Sequence, residues 1–190
     1  MLQIFGYASG ILGTLGFLPY IRDVLAGKTK PQRASWLIWS VLVFIAFFSQ
    51  LTKGATDSLW VTGVGAVGVT IVFLLSLKFG VGGLAKKDIA ALVSAAGIIL
   101  LWYLTKEAAV ALLLVIVANS IGVSLTLVKA YRDPGSETMV AWVLTGVSGI
   151  FSVLAVGRVD LVLLAYPAYI ALANFSVAAA VVLGRKRSAD

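Results

Sequence analysis

The chain is 190 residues long, 61% apolar and 12% charged, and its 15 Lys and Arg against 8 Asp and Glu give a net charge of +7. A water-soluble domain carries roughly a quarter charged residues, so this composition, with a mean hydropathy of +1.04, excludes an ordinary soluble globule and sends the surplus apolar surface to lipid. Cysteine and histidine are both absent, which excludes disulfides, thiol chemistry, Cys/His metal sites, serine–histidine catalysis and histidine proton switching.

A bilayer core about 30 Å thick takes roughly 20 apolar residues per crossing helix, and seven runs of about that length follow one another. The first covers about 3–25 and ends in Gly27-Lys28-Thr29-Lys30-Pro31-Gln32-Arg33. No Lys or Arg precedes Arg22, so the basic n-region of a signal peptide is missing and this run is expected to stay as a helix. The second, about 35–52, stops at Lys53-Gly54, and the third covers about 58–78. After the glycine-rich, basic segment 80–88 come a shorter fourth run, about 89–105, and a fifth, about 108–129. The sixth, about 139–156, follows Arg132-Asp133-Pro134-Gly135-Ser136-Glu137, and the seventh, about 161–183, precedes Gly184-Arg185-Lys186-Arg187.

Alternate gaps belong to alternate sides of a membrane, and cytoplasmic loops are enriched in Lys and Arg. One side collects Arg22, Lys28, Lys30, Arg33, Lys78, Lys86, Lys87, Lys129, Arg132, Arg185, Lys186 and Arg187; the other has Lys53, Lys106 and Arg158. This split puts the N-terminus outside and the C-terminus inside, and accounts for the positive charge without nucleic acid. Anionic-lipid contact is an ordinary consequence of it.

Runs one to three resemble runs five to seven in layout. Trp36 and Trp142 each lie just inside the start of a middle helix, a basic turn precedes each of them, and Asp57 and Asp160 each open the last helix of a triplet, where they read as N-caps. An odd linker helix gives both triplets the same orientation, so the plan is one of parallel repeats enclosing a path: 1–80 a first repeat, 81–107 a linker helix, 108–184 a second repeat and 185–190 a basic tail.

In Phe17-Leu18-Pro19-Tyr20-Ile21-Arg22, Gly27-Lys28-Thr29 and Ser35-Trp36-Leu37-Ile38-Trp39, and in its three-plus-one-plus-three plan, the chain resembles the SWEET sugar transporters and the wider PQ-loop membrane proteins. Members carry Pro-Gln near the inner end of the first helix, a basic Lys-Ser or Lys-Thr turn and an aromatic start to the second helix. Here Pro19 matches, Tyr20 stands in place of Gln, and Pro31-Gln32 falls later, in the loop, as an incidental dipeptide. In the second repeat Pro167 is followed by Ala168 where sugar-transporting members show Asn. The resemblance implies alternating access between the triplets, with Pro19, Tyr20 and Pro167 as hinge or gate positions. Trp36-x-x-Trp39 is also similar to a motif of vitamin-precursor transporters that recognise nicotinamide riboside.

Both asparagines, Asn119 and Asn174, fall within apolar runs. An unsatisfied amide in hydrocarbon costs several kcal/mol, so both are expected to point inward, either as interhelical hydrogen bonds worth about 0.6 kcal/mol or as solute ligands, with Gln50, Ser120, Ser124 and Thr70 as weaker candidates. Trp39 and Trp142 lie deep enough to stack on a solute, whereas Trp36 reads first as an interfacial anchor. Gly63 to Gly68 fits G-x-G-x-x-G without the strand-turn-helix setting that nucleotide binding requires. Together with Gly6, Gly10, Gly13 and Gly16 it reads as a small helix face, making runs one and three expected neighbours. Every acid lies at a helix end or in a loop, Asp23 being one turn after Pro19. The lack of a mid-depth acid favours passive over proton-driven movement.

The expectation is therefore an all-α integral membrane protein of seven transmembrane helices, two parallel three-helix repeats and a linker, in the plasma (cell inner) membrane. Its expected function is facilitative transport of a small polar solute, a sugar in the first reading and a vitamin-precursor-like heterocycle in the second; a receptor or assembly factor that binds without transporting is the third. No enzyme, cofactor or metal site is expected. The solute and the lipid bilayer are the expected partners, with no nucleic acid, and a homo-oligomer is left open.

Overall fold

A computed structural model describes residues 2–52, 59–105, 108–157, 159 and 161–188. Those residues form seven α-helices and no strand: α1 Leu2–Leu25, α2 Arg33–Thr52, α3 Leu59–Phe79, α4 Lys86–Thr105, α5 Ala108–Arg132, α6 Met139–Val156 and α7 Leu161–Arg187, with a 3-10 turn at Pro134–Ser136. Among the described residues, four helices are long and apolar enough to cross a membrane: Leu2–Leu25, Leu113–Arg132, Met139–Val156 and Leu164–Arg187. Arg33–Ile45 and Gly63–Phe79 are shorter apolar stretches.

Chain breakers set the ends. Gly27 and Gly157 take left-handed φ values of 71° and 68° just beyond α1 and α6, a conformation that L side chains avoid and that closes a helix C-terminus. The sequence put the end of the last helix near residue 183; α7 instead continues through Arg187, which lies 4.7 Å over the Tyr131 ring and donates to the Arg132 carbonyl at 3.3 Å. Lysine and arginine in a last turn suit the negative end of the helix dipole.

Six helices close a ring in the order α1, α6, α7, α5, α2, α3 and back to α1, and α4 lies outside it against α5 and α2. Each triplet has the same internal order, its last helix between the other two, and the triplets meet at two seams, α1 with α6 and α2 with α5. Ile4, Tyr7, Ile11 and Leu18 make an exposed apolar stripe along α1 at helical spacing. Polar side chains occupy the inside: Ser9 and Ser148 exchange hydroxyl-to-carbonyl bonds of 2.9 and 2.7 Å at the first seam, and Ser35 donates to the Gly122 carbonyl at 2.7 Å at the second.

The expected α1–α3 contact is present, with a Cβ at Gly68 falling 2.6 Å from the Phe17 ring. The glycines of α1 serve a different neighbour. A Cβ at Gly13 or Gly16 would meet Ser148 or Thr145 of α6 at 3.2 or 2.8 Å, and one at Gly6 would meet nothing.

The ends expected to be basic gather at one end of the bundle. Arg33 donates to the Ser76 and Gly82 carbonyls at 2.9 and 3.0 Å, satisfying groups at the end of α3. Pro31-Gln32, read from the sequence as incidental, is a structural joint: Val81 N donates to Pro31 O, Arg33 N to Val81 O, and Gln32 Nε2 to Asp88 Oδ1. Lys53, Lys106 and Arg158, assigned to the other end, and Asp57 and Asp160, read as caps, lie outside the described residues.

Candidate functional site

A cavity of about 150 Å³ occupies the middle of the ring. All six ring helices line it and α4 contributes nothing. The end of α1 brings Tyr20, the start of α2 brings Trp36 and Trp39 three residues apart on one face, and the start of α6 brings Trp142, because all three helix ends are at the basic end. Their rings interlock. Tyr20 and Trp36 centroids are 5.0 Å apart, Trp36 and Trp39 5.1 Å, Tyr20 and Trp142 5.9 Å, and Trp39 and Trp142 6.1 Å, the last three pairs edge-on. Such contacts contribute about 0.5–1.5 kcal/mol each beyond the area they bury, so the aromatic group is a rigid floor. Asn119, Thr145, Tyr166 and Asn174 add polar groups to the walls.

Asn119, Asn174, Trp39 and Trp142 thus share one cavity. Asn119 and Asn174 are each 8% exposed, and neither is well spent on another helix. Asn174 Nδ2 donates to the carbonyl of Ile170 in its own helix at 2.8 Å, and Asn119 Oδ1 has a long 3.5 Å contact from the Tyr169 hydroxyl. Tyr20 is part of the floor, and Pro19 precedes it inside α1; Pro167 lies inside α7 beside Tyr166, which lines the cavity.

Other candidates fall elsewhere. Ser120 is exposed, its hydroxyl donating to Ile116 O at 2.8 Å and lying 3.2 Å from the Tyr169 hydroxyl, outside the cavity lining. Ser124 bonds the Ile121 carbonyl, and Thr70 pairs with Ser40 at 3.1 Å. Gln50 is in the last turns of α2, its side chain outside the described residues. Trp36 corrects an expectation: it is 5% exposed and part of the floor, not an interfacial anchor, because the α1–α2 turn folds its helix start inward against Tyr20. Tyr20 Oη and Trp36 Nε1 are buried beside one another without a well-aligned hydrogen bond among the described residues, the Tyr20 hydroxyl lying close to the Glu137 carboxylate.

Sequence reading missed Glu137. Its side chain is fully buried beneath the floor, with Oε2 accepting the Trp142 indole N–H at 2.9 Å and Oε1 2.5 Å from Lys129 Nζ. Lys129 also donates to the Lys30 carbonyl at 2.5 Å, and Lys30 N donates to Ser136 O at 3.0 Å. Thr29 and Thr138 hydroxyls are 2.5 Å apart, and Thr138 donates to Asp23 Oδ2 at 3.0 Å. These bonds stitch the turn after α1 to the connection before α6, closing the basic end under the floor. A signal was present in the sequence, since Glu137 lies eight residues after Lys129 and five before Trp142, but only the turn between α5 and α6 makes that spacing a contact.

Chemically the cavity offers ring faces, two amides and hydroxyls. Among the described residues no charged side chain lines it, so a charged solute would be buried without a counter-ion, at high cost. No family model, curated protein or solved structure matches the chain.

Proposed function

We propose that this chain is a facilitative membrane transporter for a small, uncharged, ring-bearing polar solute, working by alternating access on the SWEET and PQ-loop plan. In this reading α1–α3 and α5–α7 are parallel repeats, α4 is the linker, and all seven helices cross the membrane. The observation that carries it is the central cavity, lined by all six ring helices, floored by the rings of Tyr20, Trp36, Trp39 and Trp142 and walled by the amides of Asn119 and Asn174. The shared helix order of the triplets supports the repeat reading.

A sugar is the first candidate, its C–H face on the rings and its hydroxyls on Asn119 and Asn174. The Trp36-x-x-Trp39 spacing, with both rings in the cavity lining, favours a second, a vitamin-precursor-like heterocycle stacked on one ring face. Uptake of radiolabelled hexoses, pentoses and uncharged nucleosides into proteoliposomes tests both. Uptake should follow the solute gradient alone, and dissipating a pH difference at fixed internal pH should leave the initial rate unchanged. Saturable binding of a solute that never enters the vesicles would favour the receptor reading instead.

A further inference from the structure

We propose that Glu137 is a positioning residue that joins the solute floor to the closure of the basic end, so that the two move as one. Its two carboxylate oxygens have different tasks: Oε2 holds the indole N–H of Trp142, a floor ring, and Oε1 holds Lys129. Lys129 crosses between the triplets, reaching the Lys30 carbonyl of the α1–α2 turn. A fully buried carboxylate and a lysine only 11% exposed cannot part without leaving a charge unpaired in a dry interior, which makes intermediate positions costly and the link two-state. The groups facing this link from the packed elements are Tyr20, Trp142 and Lys129, with Asp23 held alongside through Thr138. A floor ring that shifts therefore pulls on the same carboxylate that keeps the end shut.

This inference rests on the transport reading, and the experiment separates the two. The chain has no cysteine, so Thr145→Cys, in the cavity lining one turn beyond Trp142, reports access from the basic end through its modification rate by a membrane-impermeant thiol reagent. Ala118→Cys, fully buried against α2 and α4 away from the cavity, reports unfolding. In vesicles exposing the basic end, Glu137→Gln and Lys129→Met should each raise the rate at position 145 roughly tenfold. The double variant should add little, since both changes cut one link, and Lys129→Arg should restore the parent rate. Trp142→Phe, which keeps a ring and deletes the N–H, should raise the rate as well.

Unchanged labelling in Glu137→Gln and Lys129→Met overturns the proposal, and so does a rise at position 118 that tracks the rise at 145, which would make Glu137 a stability residue only. Independent, multiplying effects overturn the single link, and a parent rate in Trp142→Phe overturns its connection to the floor. Absence of uptake for every solute, with the labelling pattern intact, overturns transport and leaves the link standing.

Discussion

Gln32 Nε2 donates to Asp88 Oδ1 at 2.8 Å, fastening the turn between α1 and α2 to the first turn of α4. Asp88 is completely buried, and its second oxygen accepts Gly83 N at 2.7 Å and Ala85 N at 3.3 Å; Gln32 Oε1 meanwhile accepts Ala34 N at the start of α2. One carboxylate and one amide therefore satisfy the otherwise orphaned donors of two helix starts. Asp88→Ala should lower stability by about 1–3 kcal/mol, since it strands three donors. Gln32→Ala should cost about 1 kcal/mol, as a lost cap does. Thermal unfolding in detergent measures both, and an Asp88→Ala protein as stable as the parent would contradict the assignment.

Close packing inside the second triplet gives a second test. A Cβ at Gly149 would lie 2.7 Å from Ala171 N and 2.9 Å from its Cα, backbone atoms of α7 that cannot turn aside. Gly149→Ala should therefore cost about 1–3 kcal/mol through overpacking. Gly6, with nothing within 4 Å, should accept alanine with an unchanged or slightly raised melting temperature, because alanine is the better helix former. Equal effects at the two positions would show that α6 and α7 approach less closely than described.

The cavity makes a separable claim about affinity. Asn119→Ala should weaken solute binding by about 0.5–1.5 kcal/mol, the usual worth of one hydrogen bond, with Asn174→Ala similar. Melting temperature should barely move, because neither amide is well spent on another helix. Trp36→Ala should reduce both affinity and stability, as expected of a floor ring and contrary to the behaviour of an anchor. Isothermal titration and thermal shift on the same samples decide this; affinity unchanged in all three variants would mean that the solute binds elsewhere.

Topology can be read with the same cysteine-free background. A cysteine at Lys86 or Lys186, both exposed at the basic end, should react with an impermeant thiol reagent only after cells are permeabilised. A cysteine at Val159, 94% exposed beyond the other end of α6, should react in intact cells. The reverse pattern would invert the proposed orientation.

Helix number and order along the chain were legible in the sequence because apolar runs of helix length are interrupted by charges or glycines. The sixth run was placed at its observed ends, as Gly157 and the Pro134 turn leave little freedom there. Asn119, Asn174, Trp39 and Trp142 were legible as inward residues for the same reason: a polar or ring-bearing side chain stands out on an apolar helix. What sequence could not supply was azimuth. Trp36 and Ser120 are each next to or near a cavity residue in the chain, yet one faces the cavity and the other turns away from it, and only the packing of the ring decides which. Glu137 was passed over and Gln32 read as incidental because both lie in turns, where no periodicity marks a buried side chain.

The outer position of α4 makes the two seams mechanically unequal. α4 packs on α2 and α5 and shields the seam between them, whereas the α1–α6 seam carries no such brace among the described residues. If the ring stands in a bilayer, as proposed, acyl chains would form the outer wall of that second seam. On the proposed reading, lateral pressure and membrane thickness would act on the α1–α6 seam directly and on the α2–α5 seam through α4, which would make the braced seam the stiffer of the two.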